Sequence, residues 1–253
     1  MSTIRVPYHQ DERLAEDDIP LFGADTVTVE AALPDATLWQ RLGALYDTVA
    51  TTVAERVRAG AVPTVVSGDC LVALATVAGA QRAGSDPGLV WFDAHGDVHT
   101  LQTSTSGYLG GLALRLAMGA HAELLAEPLG LRPVAEERAV LVDARDLDPA
   151  EAAYLATSRV TRRAVDDLDA ATLPDGPIVL HVDVDVIDAT ELPNLQFPAS
   201  HGPSTESVLR AVHRVRATGR VVAVNIACPW HPPRDGRDVA LRTRLLERLT
   251  DPG

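Results

Sequence analysis

Apolar residues recur along the chain in short blocks separated by segments of helical spacing. Ile4 to Pro7, Val27 to Ala32, Pro63 to Ser67, Leu89 to Phe92, Ala139 to Val142, Val160 to Val165, Pro177 to Val182 and Val221 to Ile226 are each continuous enough to predict a strand. Several of them are apolar at every position, the pattern of strands buried on both faces of a parallel sheet. Between them, Leu38, Leu42, Leu45, Val49 and Val53 fall at helical spacing after Asp35-Ala36-Thr37, predicting a capped helix from about Leu38 to Ala59 that Gly60 ends. Helices are also expected over Leu71 to Ala83, Leu109 to Met118, Pro149 to Ala156, Ser204 to Ala217 and Val239 to Leu249, with loops over Asp11 to Asp18 and His99 to Gly107. Strands alternating with helices predict an α/β fold: a three-layer α/β/α sandwich around a mostly parallel central sheet.

Composition narrows the picture. At 253 residues and 46% hydrophobic, with no Pro/Gly/Ser-rich linker inside it, the chain suits one domain over 1–253. No apolar run is long enough to span a bilayer, and the N-terminal MSTIRVPYHQDERL lacks the pattern of a signal peptide. A net charge of −13 argues against nucleic acid or an anionic membrane as partner. Two cysteines make no disulfide framework, so a reducing cytoplasm is the expected compartment. The acidic cluster Asp166, Asp167 and Asp169 reads as a solvated helix start.

The chemistry gathers where strands end. Leu89 to Phe92 runs straight into Asp93-Ala94-His95-Gly96-Asp97, Pro177 to Val182 opens into Asp183-Val184-Asp185, and Pro63 to Ser67 leads to Gly68-Asp69-Cys70. Open α/β sheets bind ligands at the carboxyl ends of their strands. Neighbouring carboxylates repel, so such crowding calls for a cation or for several donors. Asp183 and Asp185 share strand parity, and His181 shares it one step deeper, which places it behind the ligands rather than among them, either as a buried hydrogen-bonded histidine or as a proton-transfer group. Cys70, Asp93, His95, Asp97, Asp183 and Asp185 are too many donors for one tetrahedral ion and suit two divalent ions roughly 3.5–4 Å apart. Oxygen donors with one imidazole favour Mn²⁺, and a Cys70 thiolate would favour a softer ion.

These three motifs, in this order, resemble those of the arginase/agmatinase/formiminoglutamase (ureohydrolase) family: Gly-Gly-Asp-His, Asp-Ala-His-X-Asp and Ser-X-Asp-X-Asp. The resemblance runs from about Pro63 to Ala227 and implies an arginase-like sandwich, two Mn²⁺ and a homo-oligomer. It implies that Cys70, Asp93, Asp97 and Asp183 hold one ion and Asp93, His95, Asp183 and Asp185 the other, with a hydroxide between them as nucleophile and Asp97 accepting its hydrogen bond. Thr103-Ser104-Thr105-Ser106-Gly107 is similar to the loop that meets the amino-acid end of the substrate, which makes Ser104 and Ser106 candidates. Arg145-Asp146-Leu147-Asp148-Pro149-Ala150-Glu151 is similar to the segment whose Asp and Glu bind the α-amino group, here Asp148 and Glu151; these two would equally cap and open a helix.

The chain departs from the family at three places. Cys70 stands where a His ligand is expected; it is either a thiolate ligand or a small buried cysteine. The catalytic His of the family is Gly110 here, leaving His99, His201 or bulk water to carry the proton. The late Glu that grips the guanidinium aligns with Cys228, so a buried guanidinium would lack its counter-charge. The first two changes are similar to a branch of the family, the Nω-hydroxy-L-arginine amidinohydrolase of cycloserine biosynthesis, whose hydroxyguanidine can be bound neutral. The expected function is therefore metal-dependent hydrolysis of a C–N bond in a guanidino or hydroxyguanidino amino acid. A formimino or amide hydrolase of the same fold, or a binding or regulatory protein that has lost turnover, are the alternatives.

Overall fold

The computed structural model describes residues 2–23 and 25–251; Met1, Ala24, Pro252 and Gly253, and with them both ends of the expected domain, lie outside the described residues. Eight strands form one sheet in which every pairing is parallel: β1 (Thr3–Val6), β4 (Thr26–Thr28), β5 (Thr64–Ser67), β6 (Gly88–Asp93), β7 (Ala139–Asp143), β8 (Thr161–Arg163), β9 (Ile178–Asp183) and β10 (Val221–Ala227). Their order is β4-β1-β5-β10-β9-β6-β7-β8. Thus β5 and β6, consecutive in sequence, flank the pair β10 and β9, and these four carboxyl ends lie side by side at the centre of one sheet edge.

Alternate residues of each strand feed two separate cores. On one face Ile4, Val65, Leu89, Trp91, Leu141 and Val179 pack against α1 (Leu38–Arg58), α2 (Val72–Arg82) and α3 (Ala113–Ala117). On the other Val66, Val90, Phe92, Leu180, Val182 and Ile226 pack against α6 (Thr205–Ala217) and α7 (Gly236–Thr250). The three-layer arrangement follows from strands that are apolar at every position, as expected. Helix α1 buries Leu42, Leu45, Tyr46, Val49 and Val53, each contributing roughly 1.5–3 kcal/mol, and Thr37 with Gln40 closes its start in a capping box. Among the described residues no helix is long and apolar enough to cross a membrane.

The differences from expectation have local causes. The second strand is only Thr26–Thr28, because it pairs on one side alone and Glu30 leaves the sheet to meet Arg13. The expected 11–18 loop contains half of a hairpin, β2 (Tyr8–His9) with β3 (Glu12–Arg13), turned by Gln10 at φ 53°. The expected helix over 109–118 splits into a 3-10 turn at Gly110–Leu112 and the short α3, since two glycines weaken its first turn. Helix α7 begins at Gly236, before Val239, because the Asp235 carboxylate accepts from the Arg237 and Asp238 amides. Short helices α4 (Ala126–Leu129) and α5 (Pro149–Leu155) complete the chain's helices among the described residues. Asp166 and Asp167 lie in an exposed 3-10 turn, not at a helix start.

Candidate metal centre and substrate cavity

Register sets the depth of each side chain. Asp183 is level with Ala227 and Ser67, while one residue pair deeper His181 stands between Asn225 and Trp91. Beyond the strand ends the chain turns sharply. His95 and Ala94 amides are held by the Asp93 and Asp185 carboxylates (2.7 and 3.2 Å), and the Asp185 amide by Asp183 (2.8 Å). Asp97 adopts φ 52°, a strained conformation that turns its carboxylate inward.

All six expected metal donors come together. His95 Nδ1 lies 3.2 Å from both Asp93 Oδ1 and Asp185 Oδ2. Cys70 Sγ lies 2.8 Å from Asp183 Oδ2. One set of ligand atoms, from Asp93, His95 and Asp185, fits within 4.8 Å; a second, from Cys70, Asp93, Asp97 and His181, does the same. Every one of these residues except His95 is buried. The electrostatics are those of an anionic cage with one cationic partner. Burial opposes the charge of His95, yet its hydrogen bonds to Asp185 and Asp93 raise the imidazole to about 12. Burial pushes Asp93 up, and the His95 hydrogen bond and charge outweigh it and hold it at about 2. Asp185 is pushed to about 6, and Asp97 and Asp183 well above the carboxylate range, by burial and then by neighbouring carboxylates. Burial and the charges of Asp183, Asp97 and Asp93 likewise push the Cys70 thiol up. Asp97 Oδ2 and His181 Nε2 are buried without a hydrogen-bond partner. A donor set of this kind, with two orphaned acceptors pointing to no protein group, fits divalent cations.

Above the donors opens a cavity of about 330 Å³. Its lining includes the donors Cys70, His95, Asp97, Asp183 and Asp185 together with His99, Thr105, Ser106, Asp148, Glu151, Phe197 and Pro229. His99 Nε2 meets Asp148 Oδ2 at 3.1 Å and its Nδ1 meets Thr103 Oγ1 at 3.1 Å. Glu151 is buried; it accepts from the Asp148 amide (3.2 Å) and the Val98 amide (3.3 Å), so it closes the capping box of α5 and also lines the cavity. A Cβ at Gly96 would lie 2.7 Å from Glu151 Oε1, which explains the glycine inside the Asp-Ala-His-Gly-Asp motif.

Several candidates do not line the cavity. Ser104 does not line the cavity; its hydroxyl accepts from the Gly107 amide in a turn. Cys228 is buried behind Pro229, which takes the place in the wall. His201 and His231 are exposed and away from the cavity, so neither stands in for a proton carrier. His181 is fully buried, does not line the cavity, and is lowered to about 4 by burial. Asp69 is no donor to the centre: its carboxylate accepts from the Leu71 amide (2.8 Å) and fixes the turn after β5. Arg145, in the segment that resembles a substrate-binding motif, pairs with Asp143 and donates to the carbonyls of Val186 and Ala199 (both 3.0 Å), clamping the loop after β9.

Sequence reasoning missed Tyr108, which lines the cavity. The Tyr108 ring packs on Phe197 (4.4 Å) and His9 (5.7 Å), and its hydroxyl is buried without a partner. Its position two residues before Gly110 was the available signal, because a glycine leaves room for a neighbouring ring.

The model of the arginase family matches residues 2–247, and the chain belongs to that family. It is 32% identical over 184 residues to an arginase of Eremothecium gossypii, covering 66% of this chain and 46% of that protein. It is also 32% identical over 182 residues to the N(omega)-hydroxy-L-arginine amidinohydrolase of Streptomyces lavendulae, covering 68% and 62%. The chain spans about half the length of the curated relatives it matches. Among solved structures, an arginase of Bacillus subtilis superposes with a TM-score of 0.81 at 22% identity, covering 98% of this chain and 97% of that one. The formimidoylglutamase of Bacillus subtilis gives 0.68 at 17%, covering 98% and 85%. At those identities the superpositions establish the shared fold.

Proposed function

We propose that this chain is a metal-dependent amidinohydrolase that cleaves a C–N bond of a guanidino-type amino acid, with a hydroxyguanidino substrate favoured, releasing urea or a substituted urea. The observation that carries this reading is the meeting of Cys70, Asp93, His95, Asp97, Asp183 and Asp185 at a cavity that Asp148 and Glu151 also line. Two divalent ions held by those residues would supply an activated water and Lewis-acid polarisation of the amidine carbon. Asp93, His95 and Asp185 offer a hard donor set suited to Mn²⁺.

The protein's own groups divide the remaining work. Asp97 Oδ2, free of partners, accepts a hydrogen bond from the attacking water. Asp148 and Glu151 receive the α-ammonium of the substrate, a charge-assisted contact. Ser106 and Thr105 offer hydroxyls to its carboxylate, and His99, bonded to Asp148, moves protons along the same wall. Phe197, Pro229 and Tyr108 also line the cavity, and the position expected to supply a Glu for a guanidinium is the buried Cys228. A buried guanidinium there would cost several kcal/mol, whereas a neutral hydroxyguanidine avoids that cost. On this reading residues 1–253 work as one domain, in a homo-oligomer, in a reducing cytoplasm that suits two free buried cysteines.

Metal analysis together with release of urea or hydroxyurea from a panel of guanidino, hydroxyguanidino, formimino and amide amino acids tests the reading. Turnover of the formimino or amide members alone would move the assignment to those substrates. Tight metal without turnover anywhere on the panel would favour a binding or regulatory role, to which the absent His and Glu at 110 and 228 also point.

A further inference from the structure

The Cys70 position lacks the imidazole that the family resemblance leads one to expect, yet an imidazole reaches the same spot from a different strand. His181, on β9, is fully buried and stacked on Trp91 with ring centroids 3.6 Å apart. Its Nδ1 meets Asn225 Oδ1, on β10, at 2.7 Å. With the Asn225 amide oxygen as the acceptor, Nδ1 carries the proton and Nε2 presents a lone pair. That Nε2 has no hydrogen-bond partner. A ring nitrogen of His181 lies within 4.8 Å of donor atoms of Cys70, Asp93 and Asp97, which lie equally close to one another. An imidazole oriented through its other nitrogen by an oxygen acceptor is the usual posture of a metal-bound histidine.

We propose that His181 is a metal ligand, and that Cys70, His181, Asp93 and Asp97 form a sulfur–nitrogen–oxygen site that selects a borderline ion of the Zn²⁺ or Co²⁺ kind beside a harder site at Asp93, His95 and Asp185. The inference rests on the metal-hydrolase reading and extends it to unlike ions. Thiolate and imidazole together shift preference away from Mn²⁺, and four donors of this mix match a four-coordinate ion. Asn225 and Trp91 act as positioning residues, the first fixing the tautomer and the second the ring plane, while the Trp91 indole also donates to Asp93 Oδ2 at 3.3 Å.

X-ray absorption of the intact protein loaded with two equivalents of Zn²⁺ counts the ligands without any substitution. One imidazole per metal with a sulfur contact is expected, from His95 and His181 together. Half an imidazole per metal would overturn the ligation by His181 and leave the two-ion hydrolase standing, whereas failure to take up any divalent ion would remove both. His181→Gln, checked for folding by circular dichroism, should weaken Co²⁺ binding at the thiolate-containing site by more than about 100-fold. Asn225→Ala should weaken it by roughly 10–100-fold, the range for an outer partner. Equal Co²⁺ affinity in His181→Gln and the unaltered protein would overturn the proposal.

Discussion

The Tyr108 phenol stands where a side chain on residue 110 would have to be: a Cβ built on Gly110 would lie 2.3 Å from Tyr108 Cε1 and 2.7 Å from its hydroxyl. The two positions are therefore read together, a glycine making room for a ring two residues earlier. Gly110→Ala should push that ring off Phe197 and out of the cavity. We expect kcat/KM to fall by about tenfold, equivalent to about 1.4 kcal/mol, with metal content unchanged. Gly110→His should do no better, because the imidazole would contest the same volume. Steady-state kinetics beside metal analysis checks both.

Asp148 combines two duties that one substitution can separate. It is the N-cap of α5 and, half exposed at the cavity wall, the partner of His99. Asp148→Asn keeps the cap, since both residues serve well there, but removes the charge. It should raise KM for an α-amino acid substrate by about tenfold or more with little change in melting temperature. Asp148→Ala should show the same KM effect. An unchanged KM in both would take the α-ammonium away from this wall.

Cys228 offers a test of the head-group end. Alignment alone suggests that a glutamate there would restore a grip on guanidinium, but the side chain is buried and Pro229 is what faces the cavity. Cys228→Glu should therefore bury an unpaired carboxylate and destabilise the protein by several kcal/mol. No gain in turnover of an unsubstituted guanidino amino acid should follow. Chemical denaturation and the same substrate panel decide it.

The sheet and the meeting of the six candidate donors were legible because both rest on local rules. Strands apolar at every position announce two buried faces, and Asp183 and Asp185, or Asp93 and His95, sit at strand ends within a few residues of one another. What was not legible depends on packing between distant segments. Nothing in the sequence near His181 tells that Asn225 meets its Nδ1 and Trp91 its ring face, so parity gave its depth but set it behind the ligands, whereas one of its ring nitrogens lies within 4.8 Å of donor atoms of Cys70, Asp93 and Asp97. Ser104 and Ser106 look alike in sequence, and only the turn closed by the Gly107 amide separates the one that lines the cavity from the one that does not. The boundaries that shifted, at Thr26–Thr28 and Gly110–Leu112, lie at a sheet edge and at a glycine pair, where propensity is weakest.

The last prediction follows from the charge of the cage in the metal-free protein. Asp185 is raised from the usual carboxylate range to about 6, and Asp97 and Asp183 are raised well beyond it, by burial first and by neighbouring carboxylates, Asp93 among them, second. A carboxyl with a higher pKa folded than unfolded binds more protons in the folded state, so its contribution is present below the unfolded pKa and is lost as pH rises through the folded one. His95, raised to about 12, keeps its contribution throughout pH 4 to 6, and Asp93, held at about 2, has already reached its own by pH 4. The metal-free protein should therefore melt at progressively lower temperature as pH rises from about 4 to about 6. Divalent ions reverse the sign, because they bind the deprotonated donors and bind more tightly as those protons leave. Scanning calorimetry of chelator-treated and metal-loaded protein across that range should give melting temperatures that diverge as pH rises. Parallel curves would mean that the buried carboxylates are not what the ions bind.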